Sequence, residues 1–267
     1  MFARQSGGDA VATNVCRESQ QSHAHPDSVQ PMTDLDGRVI AIAGAGGGLG
    51  PVVAQRLADA GASLSLADRS QEIADSVAKD LGIPDDRVDP QAVDLLDESA
   101  AGDWAASTEK RFGHIDGLIH LVGGYRGGDP LHSFDLADYE FLHDLLVRTL
   151  QLATRAFHPA LTKSDHGRFV LVSAAAAQDP EDTNAAYASA KAAAEAWTLA
   201  LADSFAGSGA TANIIVVNAI ETPQMREENP EAERPSFTPA EDLAEAIAFL
   251  CSDAARRMNG QRLALHP

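Results

Sequence analysis

Cysteine, aromatic residues, positive charge and long apolar runs are all scarce in this chain. Of its 267 residues only two are cysteine: Cys16 in a polar leader, and Cys251 at the end of the apolar run Ala248-Phe-Leu-Cys251. So few thiols exclude a disulfide framework and fit a reducing cytosol, so a cytoplasmic location is expected. Lysine and arginine number 20 against 39 acidic residues, giving a formal charge of −19. That negative field repels nucleic-acid phosphates and anionic membranes, and neither is expected as a partner. The longest apolar stretches are strand length, short of the roughly 18 residues a membrane span needs.

Residues 1–31 are rich in Gln, Ser, Ala and Asp, without periodicity or a signal-like apolar run. They are expected to be a disordered leader ahead of one domain spanning 32–267, with Met32 a candidate start. His23 and His25 fall in that leader without further ligands, so no metal site is expected.

From Arg38 onward, short apolar runs alternate with amphipathic stretches. Seven strands are expected, at Val39 to Ala43, Ser63 to Ala67, Val88 to Val93, Leu118 to Val122, Arg168 to Val172, Asn213 to Val217 and Arg262 to Leu265. Helices are expected near 49–60, 71–81, 98–112, 136–162, 184–206 and 240–252. This alternation predicts an α/β fold: a single doubly wound, Rossmann-type domain whose seven-stranded, mainly parallel sheet carries helices on both faces. Thr222 to Pro239 holds four prolines and many charges, which predicts a mobile loop bordering the ligand crevice.

Two motifs carry chemistry. Gly44-Ala-Gly-Gly-Gly48-Leu-Gly50 directly follows the first strand and opens a helix. In that context Gly44, Gly48 and Gly50 allow a tight turn and let a pyrophosphate approach a helix N-terminus. Asp68 ends the second strand, where a carboxylate binds an adenosine ribose and repels a 2′-phosphate, favouring NAD(H) over NADP(H). Arg69 beside it tempers that choice, so NADP(H) is not excluded. Asp94, ending the third strand, either bonds an adenine amino group or caps the next helix. The second motif is Tyr187-Ala-Ser-Ala-Lys191, whose Tyr and Lys share a helix face. A neighbouring ammonium is expected to lower the phenol pKa, making Tyr187 a proton donor or acceptor for hydride transfer.

Together with the segment Thr238 to Asp253 and Asn259-Gly-Gln261, these motifs resemble the short-chain dehydrogenase/reductase family from about Leu35 to the C-terminus. The resemblance implies a nicotinamide-dependent oxidoreductase acting on a small carbonyl or alcohol. It implies that Lys191 also contacts the nicotinamide ribose and that Ile220 and Thr222 lie near the carboxamide and phosphates. Leu49, Leu95 and Gly123 complete the cofactor-contacting set. It also implies a homodimer or homotetramer through the helices near 136–162 and 184–206.

Several positions depart from the family pattern. His120-Leu-Val-Gly123 stands where Asn-Asn-Ala-Gly is usual, and Val217-Asn218 where Pro-Gly is usual. The usual catalytic Asn falls at Leu146 and the usual substrate serine at Ala174, with Ser173 one place early. A one-residue offset on a strand turns a side chain to the other face, so Ser173 replaces the missing hydroxyl only if the following turn shifts. Tyr and Lys kept while Asn and Ser are lost resembles the dihydropteridine reductase branch, as does Val122-Gly-Gly-Tyr-Arg-Gly-Gly128. That likeness implies a quinonoid heterocycle as the alternative substrate, with Tyr125 stacking on it. A non-catalytic dinucleotide sensor is the third reading.

Overall fold

Seven of the apolar runs lie side by side in the computed structural model of the chain, which describes residues 33–266. The expectations for the leader, Cys16, its histidines and Met32 fall outside those residues. The strands are β1 (Val39–Ala43), β2 (Ser63–Asp68), β3 (Val88–Ala92), β4 (Gly117–His120), β5 (Arg168–Ala174), β6 (Thr211–Val217) and, last in the chain, β9 (Arg262–Ala264). Their order is β3-β2-β1-β4-β5-β6-β9, and every pairing is parallel. The order reverses between β1 and β4, which opens a crevice at the carboxyl ends of those strands.

Strands β1, β5 and β6 are buried along their whole length because helices cover both faces, which is why they read as unbroken apolar runs. Helices α1 (Gly50–Asp59), α2 (Gln71–Asp80) and α8 (Ala240–Cys251) pack on one face. Helices α3 (Glu98–Phe112), α5 (Thr149–Lys163) and α6 (Ala185–Ser204) pack on the other, around Trp104 and Phe157, whose rings meet edge-on at 4.6 Å. Pro90 is tolerated because β3 is an edge strand that pairs with β2 alone. Cys251 ends α8 as a buried free thiol, pushed up to about 12 by that burial.

Two expectations about local structure are corrected. The helix expected near 136–162 is α4 (Leu136–His143), a π-helical turn at Asp144–Arg148, and then α5. The supposed loop from Thr222 to Pro239 carries regular structure: α7 (Pro223–Glu228) and a small parallel pair of β7 (Ala219–Glu221) with β8 (Phe237–Pro239). Its prolines and charges misled because they serve structure here. Pro223 sits in the first turn of α7 behind a Thr222 cap, and Arg234 ties the segment together through Glu221 and the carbonyls of Met225 and Asn229. No helix among the described residues is long and apolar enough to cross a membrane.

Candidate active site

At the crevice, β1 runs into a turn whose backbone only glycine allows. Gly44 has φ +82°, and a Cβ there would lie 2.9 Å from the Val122 nitrogen. At Gly50 a Cβ would lie 2.1 Å from the Ala45 carbonyl oxygen, so the first turn of α1 closes tightly on the loop. Helix α1 follows Leu49 with no side-chain cap. The Gly50 N–H is spent on the Gly47 carbonyl and Pro51 has none, so what this helix end offers an anion is chiefly the positive end of the helix dipole. Gly48 faces the Thr222 methyl group, placing α7 against the same turn.

Asp68 is held toward this turn by the backbone N–H groups of Gly46, at 3.2 Å, and Ser70, at 3.2 Å. With Gly44, Arg69, Asp94, Leu95 and Gly123 it lines a cleft of about 500 Å³. Asp94 does not cap α3. It accepts from the Leu96 N–H within its own turn, while Asp97 is the cap. A pyrophosphate and an adenosine ribose fit this combination of open helix end, glycine turn and fixed carboxylate. Phe141, Asp144, Leu145 and Thr149 form the far wall; all four belong to or flank the π-helical turn, and no spacing pattern announced them. Ile73, whose methyl group covers Gly46, was also missed.

Tyr187 and Lys191 meet as their spacing requires, with the Lys191 Nζ 5.8 Å from the Tyr187 ring centre. The expected electrostatics are corrected, however. Burial pushes the Tyr187 phenol up to about 12, with Tyr125 adding to the rise, instead of an ammonium pulling it down. Lys191 is itself pulled down to about 8 by burial, against a smaller opposing effect of Glu195. Its ammonium donates 3.0 Å to the Val172 carbonyl. The reason lies in the register: β4 stops pairing at His120 opposite Leu171, while β5 and β6 continue to Ala174 opposite Val217. The Val172 carbonyl lies past the end of the β4 ladder, where Lys191 reaches it.

Ser173 is 1% exposed and its Oγ has no partner among the described residues. It shares a strand face with Phe169 and Leu171, in the core beneath α6. Ala174 is also buried. Leu146, 2% exposed, packs with Leu142, Ala186 and Ala190 between α4 and α6. Tyr125 stands over Tyr187, ring centres 5.1 Å apart and edge-on, yet is 56% exposed. Ile220 lies in β7, and Thr222 caps α7. Among the described residues no group of three His, Cys, Asp or Glu side chains is placed to hold a metal.

The profile of the family described as Enoyl-(Acyl carrier protein) reductase matches residues 43–266, most of the chain and the whole of this site. The chain is a short-chain dehydrogenase/reductase. Levodione reductase of Leifsonia aquatica is 30% identical to this dehydrogenase/reductase over 247 residues, covering 86% of this chain and 92% of the relative. Among solved structures, a short-chain type dehydrogenase/reductase from Mycobacterium ulcerans superposes with a TM-score of 0.80 at 23% identity, covering 87% of this chain and 89% of that one. A 3-ketoacyl-(acyl-carrier-protein) reductase from Brucella melitensis, complexed with NADH, superposes with a TM-score of 0.74 at 27% identity, covering 86% and 97%. The fold and the oxidoreductase class follow from these likenesses, as does a nicotinamide dinucleotide as the family's cofactor.

Proposed function

We propose that this chain is an NAD(H)-dependent reductase or dehydrogenase that moves hydride between nicotinamide and a small carbonyl or alcohol, with Tyr187 transferring the proton. The carrying observation is the Tyr187–Lys191 pair on α6 beside the crevice, with a cationic group 5.8 Å from a phenol ring. The dinucleotide supplies the hydride carrier. Gly44, Gly48, Leu49 and Gly50 would hold its pyrophosphate, Asp68 its ribose, Asp94, Leu95 and Gly123 the adenine side, and Ile220 and Thr222 the carboxamide and phosphate side. Because Tyr187 keeps its proton well past neutral pH, it suits donation to a carbonyl oxygen, the direction of reduction. The fixed Asp68 carboxylate disfavours a 2′-phosphate, so NAD(H) is preferred, and an NADPH preference would assign the cleft to Arg69.

A second substrate reading has its own observation. Tyr125 presents an exposed edge over Tyr187, while Ala174 and Leu146 leave no polar groups at the two positions where the family usually has them. A quinonoid heterocycle accepts hydride through its conjugated system and needs less polarisation than a ketone. Loss of NADH absorbance against a panel of ketones and a quinonoid dihydropterin separates the readings. Oxidation of NADH with neither class, despite tight NADH binding, would favour the sensor.

A homodimer or homotetramer through α5 and α6 belongs to the same proposal. A groove between them is lined by Thr154, Pro159, Trp197 and Leu201, and Ser189, Ala192, Ala193, Ala196 and Ala200 are small exposed residues of α6 that permit close helix approach. A cytoplasmic location is proposed with it, supported by the free thiol of Cys251.

A further inference from the structure

The cleft of about 500 Å³ stops short of Tyr187. It reaches Gly123 on one side and Leu145 and Thr149 on the other, but neither Tyr187 nor Lys191 lines it. From Gly123 the chain runs exposed to residue 130 without helix or strand. Two residues into that run, Tyr125 sets its ring edge-on against Tyr187, with the centres 5.1 Å apart. This stretch therefore stands between the cleft and the phenol.

The contacts that hold it there come from two sides. At Gly127 a Cβ would lie 2.5 Å from the Tyr125 hydroxyl and 2.9 Å from the Thr183 carbonyl oxygen, so the chain folds back tightly on the segment leading into α6. The Gly128 N–H donates to that same carbonyl at 2.8 Å, from a residue with φ +115°. On the other side Arg126 reaches α4. Its guanidinium carbon lies 4.8 Å from the centre of the Phe141 ring, and its Nε 3.6 Å from the Asp138 carboxylate. Phe141 is itself a wall of the cleft. A cation–π contact and an ion pair between exposed groups are both weak, and a segment held by so little opens readily. Glycine pairs at 123–124 and 127–128 leave the backbone free on either side of Tyr125 and Arg126.

We propose that residues 123–128 are a gate over Tyr187: Tyr125 closes it, Arg126 latches it to α4, and the two glycine pairs are its hinges. Here the gate is shut, with Tyr125 covering the phenol. With the ring lifted, the cleft and Tyr187 become one chamber, in which hydride and proton can reach the same substrate. The value of such a gate to the reaction rests on the proposed role of Tyr187, but its test needs neither substrate nor cofactor.

The chain has three tyrosines, Tyr125, Tyr139 and Tyr187, so full-length protein labelled with 3-fluorotyrosine gives three ¹⁹F signals, each assigned by its Tyr→Phe variant. Broadening by a neutral, soluble gadolinium chelate reads the exposure of each ring. In the parent protein Tyr187 should be broadened much less than Tyr125. In Arg126→Ala, which releases the latch, broadening of Tyr187 should rise at least about threefold. Gly127→Ala should raise it similarly, because the added methyl group cannot share the space of the Tyr125 hydroxyl and the Thr183 carbonyl. Tyr139, on α4, should keep its parent value in both. A Tyr187 signal unchanged in either variant, or as exposed as Tyr125 in the parent, overturns the proposal. So does a parallel rise at Tyr139, which would mean that α4 itself had loosened. Failure of NADH oxidation with every substrate leaves all these outcomes untouched, so the two readings fail separately.

Discussion

The two halves of the crevice are built by different means. On the β1–β2 side, the proposed dinucleotide site is built from backbone: a left-handed glycine, an uncapped helix end and a carboxylate held by two peptide N–H groups within a few residues of the turn or of Asp68 itself. On the β4–β5 side, the proposed proton-transfer site is built from side chains drawn from β4, α5, β5 and α6, and its polar atoms are partly unmatched at His120 Nδ1 and Ser173 Oγ. Local geometry constrains residue type tightly. A long-range polar cluster leaves room for exchange, and this is the half where the chain departs from the family's usual Asn and Ser.

The strongest way to test this division is Tyr187→Phe. Turnover on the best substrate found should fall at least about 100-fold while the NADH dissociation constant stays within about twofold, because the ring remains and only the transferable proton is lost. Stopped-flow assays and fluorescence titration measure the two quantities. Parallel losses of both would mean that the halves are not separable.

Asp68→Asn works the other side. It should raise NADPH affinity about tenfold with turnover changed much less, since a like charge facing the 2′-phosphate is removed while hydrogen bonding is kept. Cofactor titrations read the ratio, and an unchanged ratio would pass control of the cleft to Arg69.

The legibility of the sequence follows the same division. The inner strands β1, β4, β5 and β6 were readable because parallel strands buried on both faces are apolar runs, the partly buried edge strands β3 and β9 from their place in the alternation with helices, and the glycine turn and Asp68 because their spacing is set by one βαβ unit. Pairing of Tyr187 with Lys191 was readable from helical geometry. The pKa of Tyr187 was not, since it depends on how deeply α6 lies in the fold. The π-helical turn has no residue signature, so the wall formed by Asp144, Leu145 and Thr149 was invisible. In the segment from Thr222 to Pro239, prolines and charges looked like loop composition, although they form a helix start and a set of ion pairs.

A pH experiment sharpens the contrast further. An unfolded histidine takes up a proton below about 6.5, whereas folded His120 does so only near 3. Unfolding therefore absorbs a proton between those values, and stability should fall as pH drops through that window. Urea denaturation at several pH values should show a shallower fall in His120→Leu than in the parent protein. Equal slopes would place no buried neutral histidine in the site.

The smallest effect is expected from Ser173→Ala, with turnover kept within about threefold. Its oxygen lies on the core face and makes no hydrogen bond in this structure. A loss comparable to that of Tyr187→Phe would return the serine to the reaction and make a simple ketone or alcohol the better substrate.

Cys251 makes the fold its own reporter. A thiol enclosed at the end of α8 and held near 12 carries almost no thiolate at neutral pH, so a thiol reagent reaches it only when the helix leaves the sheet. In a Cys16→Ser variant the labelling rate would count openings of the native state, and its slowing on addition of NADH would measure how much cofactor binding tightens a region on the opposite face of the sheet from α6.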